Sequence, residues 1–351
     1  MPMVVLGIDA HKRTHTVVAV DEVGRQLGVR VTQSTGTAAH LELVVWAEKF
    51  GPSRRWAVED CRHLSRRLEA DLLGAGEQIV RVPPKLMARA RDSARTYGKS
   101  DPIDALAVAR AALREPGLAV ARLDGPEREL RLLVDHREDL VAERTRAVNR
   151  LRWHLHELDP DWDPKPRSLR NRKNITAVAA RLSGMGGLVA RIAADLTARI
   201  AALTGDINAL ETEITARVRV LAPSLLTLPG VAALTAAKIV AETAGAGRFR
   251  SKDAYARHNG TAPLPAWSAN PNRHRLSRTG NRQLNCAIHR IAVTQKRRHP
   301  DAQAYLKNRL SAGDTGTEAL RALKRRISDA VYRMLLADAK GSETTPASQA
   351  A

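Results

Sequence analysis

The sequence predicts an α/β domain followed by a mainly helical remainder, and three observations carry that expectation. Short Val-rich runs with period-two alternation occur in the first third of the chain, the pattern of half-buried strands. Apolar residues then recur at helical spacing from Pro126 to Leu158 and again from Ile192 to Leu221, as long helices require. The last third opens with small residues and continues as basic helical sequence. These shifts divide the chain into an α/β domain at 1–125, a long-helix coiled-coil middle at 126–221, a mainly helical C-terminal domain at 222–338 and a Ser/Thr/Ala-rich disordered tail at 339–351.

In order, Met3–Ile8, Thr14–Val20 and Gln26–Thr32 read as strands, with a turn at Asp21-Glu22-Val23-Gly24. A helix is expected near Thr37–Lys49, a short strand at Arg55–Glu59 and a helix at Leu64–Leu73. Gln78–Val82 is a further strand, stopped by Pro83-Pro84, and helical sequence continues to about Leu113. This β-β-β-α-β-α-β-α order gives a mixed sheet covered by helices and is the order of the RNase H fold. In that topology the first and fourth strands are neighbours at the sheet centre.

The middle carries Leu133, Leu140, Val141, Val148, Leu151, Leu155 and Leu158 in one stripe, interrupted after it by Pro160, Pro164 and Pro166. A second stripe runs through Ile192, Leu196, Leu203, Ile207, Leu210, Ile214 and Leu221. Its spacing from Leu203 is that of a heptad seam. An intramolecular hairpin and a dimeric coiled coil satisfy it equally. Leu228-Pro229-Gly230-Val231 and the helix after it resemble a helix-hairpin-helix element, in which backbone N–H groups meet a phosphate. Close helix packing explains the same small residues. A polar loop, Gly260 to Gly280, separates this helix from a basic helical region that runs to about Leu336.

Lys and Arg number 57 against 37 Asp and Glu, a net charge of +20. That balance favours a polyanionic partner and salt-dependent association, without choosing DNA or RNA. Aromatic residues make up only 3%, which argues against a broad stacking platform for single strands. Cys61 and Cys286 have no CxxC partner, so reduced thiols are expected rather than a zinc finger or a disulfide framework. No apolar run approaches membrane-spanning length, and neither a signal peptide nor an anchor is expected.

Four carboxylates carry the chemistry. Asp9 ends the run Val4-Val5-Leu6-Gly7-Ile8, and Glu59 ends Trp56-Ala57-Val58. Asp101 and Asp104, in Ser100-Asp101-Pro102-Ile103-Asp104-Ala105, share one face at the start of a helix. Hard oxygen donors on separate elements can converge to hold Mg²⁺, or alternatively Mn²⁺, against phosphate oxygens. The plain reading of the second pair is an N-cap at Asp101 and a dipole-favouring Asp104. Asp60 competes with Glu59, but the two point to opposite faces of a strand, and Glu59 is chosen. Lys85, Arg89, Arg91, Arg95 and Lys99 lead into the acidic pair as a candidate phosphate-tracking surface, against the ordinary reading of a solvated helix face. Tyr97 in this run is equally able to pack or to stack.

Ser268 lies in Pro263-Leu264-Pro265-Ala266-Trp267-Ser268-Ala269-Asn270 and is followed by Arg273, His274, Arg275 and Arg278, which can neutralise phosphate. Ser277 is its local competitor, and a loop serine is ordinarily a turn residue.

Gly7-Ile8-Asp9-Ala10-His11-Lys12, then Glu59, then Lys99-Ser100-Asp101-Pro102-Ile103-Asp104-Ala105 resembles the DEDD transposases of the insertion-sequence 110 group. A second signature of that group is similar to Leu228-Pro229-Gly230-Val231 through Gly260-Thr261-Ala262-Pro263 and Arg275-Leu276-Ser277-Arg278-Thr279-Gly280-Asn281-Arg282-Gln283-Leu284. The resemblance spans residues 3–335. It implies a resolvase-like (RuvC-like) N-terminal domain, a coiled-coil middle and a C-terminal domain with a nucleophilic serine. It also implies recombination of donor and target DNA under guidance of a structured bridge RNA, by a dimeric or tetrameric assembly in the bacterial cytoplasm, nucleoid-associated during action. The position matching the family's serine is Ser268; Ala269 replaces the usual following glycine, and Trp267 stands where a small residue is common. Two other functions are consistent with the residues: a metal-dependent junction resolvase using carboxylates and water, and a non-catalytic RNA- or DNA-binding protein.

Overall fold

The structure, a computed structural model, describes residues 3–59, 62–83, 86, 100–115, 118–121, 125–165, 167–265, 274–275 and 280–343. It contains two compact units, Met1–Asp124 and Gly125–Ala351.

The first unit is built on strands β1 (Val4–Ala10), β2 (His15–Val20), β3 (Gln26–Val31), β4 (Arg54–Glu59), β5 (Ile79–Val82) and β6 (Ala119–Val120), in the spatial order β3-β2-β1-β4-β5-β6. β1 pairs antiparallel with β2 and parallel with β4, which pairs parallel with β5. This is the mixed sheet the sequence predicts. The exception is β6, two residues antiparallel to β5, too short to leave a period in the sequence. Helices α1 (Thr37–Glu48), α2 (Arg62–Gly74) and α3 (Asp101–Arg114) cover the sheet.

Strand alternation sorts β1 between two cores. Val4, Leu6, Ile8 and Ala10 pack with Leu43, Leu68 and Leu72 of α1 and α2. Val5 packs on the other face with Val80, Val82 and, from α3, Ala105, Val108 and Ala109. Gly7 shares that second face with Val5. A Cβ on Gly7 would lie 2.2 Å from the Ala105 carbonyl oxygen and 2.4 Å from the Ala109 nitrogen. The glycine is therefore a packing requirement: it lets the α3 backbone lie directly on β1.

The second unit begins with α4 (Pro126–Leu158) and α6 (Leu188–Leu221). Their contacts run in opposite sequence directions, Glu129 to Arg217, Arg137 to Glu211, Glu143 to Arg199 and Arg144 to Thr204, so the pair is an antiparallel hairpin. Leu203, Ile207 and Ile214 of the heptad seam are buried. Of the two arrangements that satisfy the stripe, the hairpin within one chain is the one seen, because α4 offers a complementary face. Between the two long helices lies α5 (Arg172–Leu182), capped by the Asn171 side chain accepting from Lys173 N at 2.9 Å. Its Ile175, Val178 and Leu182, at three- and four-residue spacing, join Leu151, Leu155 and Ile200 in a core at the hairpin tip.

At the other end, α7 (Ala233–Thr243), α8 (Lys252–His258), α9 (Arg282–Arg298), α10 (Pro300–Ser311) and α11 (Gly316–Glu343) enclose a larger core with Leu130, Val134, Ile214 and Val218. Gly230, at φ +86°, turns the chain into α7, and its Cβ would meet the Ile291 carbonyl at 3.3 Å. Gln295 Nε2 donates to the Pro229 carbonyl at 2.7 Å. Close packing on α9 accounts for the glycine at this turn. The last helix runs to Glu343, past the expected start of the tail at 339, because Ala337-Asp338-Ala339-Lys340 continues as good helix-forming sequence.

Within α7, Lys238 is buried against three carboxylates, Glu138 at 3.0 Å, Asp135 at 3.5 Å and Glu242 at 3.6 Å. Burial opposes its charge, but these acids outweigh it and hold the ammonium above its ordinary pKa. Lys238→Ala leaves the buried Glu242 carboxylate without its ammonium, while the half-exposed Asp135 and Glu138 are screened by water, and urea unfolding should show a loss of about 1–3 kcal/mol. A loss below about 1 kcal/mol would show that solvent already screens the acids.

Candidate metal centre

β1 delivers Asp9 to the sheet face that α3 covers. The alternation that places Val5 and Gly7 there puts Asp9 there too, and its side chain is only 11% exposed. His11, two residues on, reaches back with Nε2 3.0 Å from Asp9 Oδ2 and 3.5 Å from Asp101 Oδ1. α3 starts here. Its N-cap is Ser100, not Asp101 as the plain reading had it, and Pro102 lies in the first turn. Asp101 is thereby released from capping, and its half-exposed carboxylate turns to His11. Asp104, one turn further, is buried.

The carboxylates act on one another. Burial raises the Asp9 pKa; His11 lowers it by charge and hydrogen bonding, and Asp104 and then Asp101 raise it again. A cation at this place would relieve that repulsion. Donor atoms of Asp9, His11 and Asp101 lie within 4.8 Å of one another. The two hard carboxylate oxygens suit a divalent ion of the Mg²⁺/Mn²⁺ class, and the imidazole nitrogen beside them is a softer donor that favours Mn²⁺ over Mg²⁺.

Glu59 is the last residue of β4, one step beyond the Ile8–Val58 pair that aligns β4 with β1. It alternates with Ala57, a member of the α3-side core, and therefore shares Asp9's face. It is partly buried and lies outside the compact group formed by Asp9, His11 and Asp101. Asp60 falls outside the described residues, as do Lys85, Arg89, Arg91, Arg95, Lys99 and Tyr97. His11 is the site residue that sequence reasoning missed. Its signal was available: i, i+2 from Asp9 at a strand end places both on one face.

In the second unit, β7 (Leu264–Pro265) and β8 (His274–Arg275) pair antiparallel, Pro265 opposite His274. Ser268 and Arg273 belong to the segment these strands flank, and they, with Ser277 and Arg278, fall outside the described residues; only the backbone of Arg275 is described. The base of this loop is narrow. A Cβ on Gly280 would sit 2.4 Å from Gly260 N, and Asn281 N donates to the His258 carbonyl at 2.6 Å.

Two family models match the chain. One, for transposases of the DEDD type of insertion sequence IS110, matches residues 6–160. The other, described as the transposase IS116/IS110/IS902 family, matches residues 222–307. The chain is 28% identical over 385 residues to the insertion element IS116 uncharacterized 44.8 kDa protein of Streptomyces clavuligerus, covering 94% of each chain. It is 28% identical over 377 residues to the insertion element IS900 uncharacterized 42 kDa protein of Mycobacterium paratuberculosis, again covering 94% of each. Among solved structures, RuvC of T. thermophilus in complex with a Holliday junction substrate is similar at 18% identity and a TM-score of 0.25, over 32% of this chain and 93% of that one.

Proposed function

The chain belongs to the IS110/IS116 family of DEDD transposases, and from that premise we propose that it cuts and rejoins DNA through the Asp9 centre together with a serine nucleophile, Ser268. The observation that supports the first half is the seating of α3 on Gly7, which sets the helix whose first turn carries Asp101 and Asp104 against the strand that carries Asp9. Asp9, Glu59, Asp101 and Asp104, assisted by His11, are the residues that would hold Mg²⁺ or Mn²⁺. When bound, such an ion supplies charge stabilisation at the scissile phosphate and the leaving oxygen.

The chain's own groups do the rest. The Ser268 hydroxyl attacks phosphorus; a bond from its Oγ to phosphorus forms as the bond to the leaving strand's oxygen breaks. The serine proton is given up and the departing strand ends as a hydroxyl. Phosphodiester energy is kept in the covalent link, so rejoining to another strand's hydroxyl needs no nucleotide cofactor. Arg273, Arg275 and Arg278 stand near Ser268 in sequence and neutralise phosphate charge. Lys85, Arg89, Arg91, Arg95 and Lys99 lead into Asp101 and track the backbone. A structured bridge RNA selects the donor and target DNA, and the working unit is a homo-oligomer, a dimer or a tetramer.

A second reading, hydrolysis by a carboxylate-bound water, is favoured by one observation. All four acidic candidates belong to one compact unit, Met1–Asp124, and need no serine to form a nuclease centre. A suicide DNA substrate separates the two. Ser268→Ala should abolish the covalent protein–DNA adduct and recombination while RNA and DNA still bind, and peptide mass spectrometry should find the wild-type adduct on Ser268. An adduct on Ser277 would move the nucleophile. Metal-dependent nicking by Ser268→Ala at the wild-type rate, with no adduct in either protein, would establish the water mechanism.

A further inference from the structure

The α4–α6 seam is interrupted by a charge. Arg144 is only 8% exposed. Its one hydrogen bond among the described residues runs from Nη1 to Thr204 Oγ1 at 3.3 Å. Thr204 in turn donates to the Ile200 carbonyl at 2.7 Å and brings no charge. Glu211 is an acid that acts on Arg144 electrostatically, but Arg137 already binds it through Nε at 2.9 Å and through Nη2. Burial first, then Arg170 and Arg137, pull the Arg144 guanidinium below its ordinary pKa. A buried guanidinium without an anion is costly, and proteins normally pair it.

Arg144 lines a cavity of about 190 Å³ between α4 and the chain that precedes α5, together with Lys165, Arg167 and Arg170. These three are exposed and form no ion pair among the described residues. Arg152 also lines it but is matched by Asp163 at 2.6 Å. From Lys165 to Lys173 the chain carries Lys165, Arg167, Arg170, Arg172 and Lys173 and no acidic residue. The space is smaller than a pocket for a whole drug-sized ligand but admits a tetrahedral anion. Guanidinium groups match phosphate oxygens by forked hydrogen bonding.

We propose that this cavity at the hairpin is a phosphodiester-binding site, with Arg144 as its floor and Lys165, Arg167 and Arg170 as its rim, which grips the backbone of a nucleic acid. The inference rests on reading the chain as one that acts on nucleic acid, and it adds a contact far in sequence from the carboxylates and from Ser268.

The test is fluorescence anisotropy of the full chain across a KCl series, with a labelled DNA duplex and, separately, a labelled single-stranded RNA, both of arbitrary sequence. The combined variant Lys165→Gln, Arg167→Gln, Arg170→Gln should bind at least one of them about tenfold more weakly, with the log Kd against log salt slope shallower by about one to two. Loss on the duplex assigns the phosphate to DNA; loss on the single strand assigns it to RNA. A control with the same charge removed elsewhere, Arg219→Gln, Arg298→Gln, Lys307→Gln, should lose less. Arg144→Met should weaken the same ligand without lowering Tm. Equal losses in the rim variant and the control would overturn the site. So would an Arg144→Met protein that melts earlier yet binds as wild type, since Arg144 would then be structural. The readout is binding, so a chain that binds but fails to cut would refute the reading of the carboxylate centre and still decide the cavity.

Discussion

Asp9→Asn and Asp104→Asn should each reduce strand cleavage by about a thousandfold or more, with nucleic-acid affinity and fold retained. Asparagine keeps the shape of the side chain and removes the charge. That distinguishes an electrostatic role from a packing role, because both positions are buried. Burial first, and then the charges of Asp104 and Asp101, oppose ionisation of Asp9 against the pull of His11, so neutralising one of these acids should leave Tm unchanged or raise it. Gain of stability with loss of activity is the signature of a site kept under electrostatic strain for function. Asp101→Asn should follow the same pattern. At β4, Glu59→Gln should be inactive and Asp60→Asn active, since Glu59 lies on the α3-covered face. Near wild-type cleavage by Asp104→Asn would remove it from the site. A drop in Tm matching the loss of activity would make Asp9 structural.

Gly7→Ala is the second large effect, and it comes from one methyl group. The added Cβ has no flexible neighbour to displace: it meets the backbone oxygen of Ala105 and the backbone nitrogen of Ala109. Either α3 moves outward or β1 bends. We expect a stability loss of about 2–4 kcal/mol by denaturant titration. We also expect cleavage to fall by about a hundredfold or more in whatever fraction folds, because a shift of about 1 Å in catalytic groups costs that much. Gly28→Ala is the comparison. Its Cβ would meet the side chains of Phe50 at 3.1 Å and Trp46 at 3.3 Å, away from the carboxylates, and should cost stability with little effect on the rate per folded molecule. Equal loss of rate in both variants would mean that the seating of α3 does not control the site.

The sheet was legible because its strands are Val-rich runs bounded by turn residues, and a period of two declares which side chains share a face. The same period placed Asp9 beyond Gly7 on one face and could have added His11. The N-cap is not legible, because Ser100 and Asp101 are both good caps and local sequence does not choose between adjacent ones. The heptad stripe announced that α6 needs a partner; a stripe does not carry the partner's address, and α4 of the same chain supplies it. Lys238 and Arg144 were beyond reading, since each owes its environment to residues remote in sequence, Glu138 for one and Thr204 for the other. β6 is two residues on a sheet edge and leaves no pattern at all.

The hairpin strings two hydrophobic cores on one pair of helices. Leu151, Leu155, Ile175 and Ile200 make one; Leu130, Val134, Ile214 and Val218 begin the other. Between them the seam holds Leu203 and Ile207, and it is broken at Arg144 and Thr204. A helix the length of α4 spans about 50 Å, long enough for its ends to belong to different cooperative units. Amide hydrogens of α5 can then exchange with solvent through opening of the tip alone, while those of α7 and α9 wait for the larger body to unfold. An anion seated on Arg144 would bind at the joint between these two foldons, and its capture would appear as slowed exchange in the tip, a region that holds neither the carboxylates nor the serine.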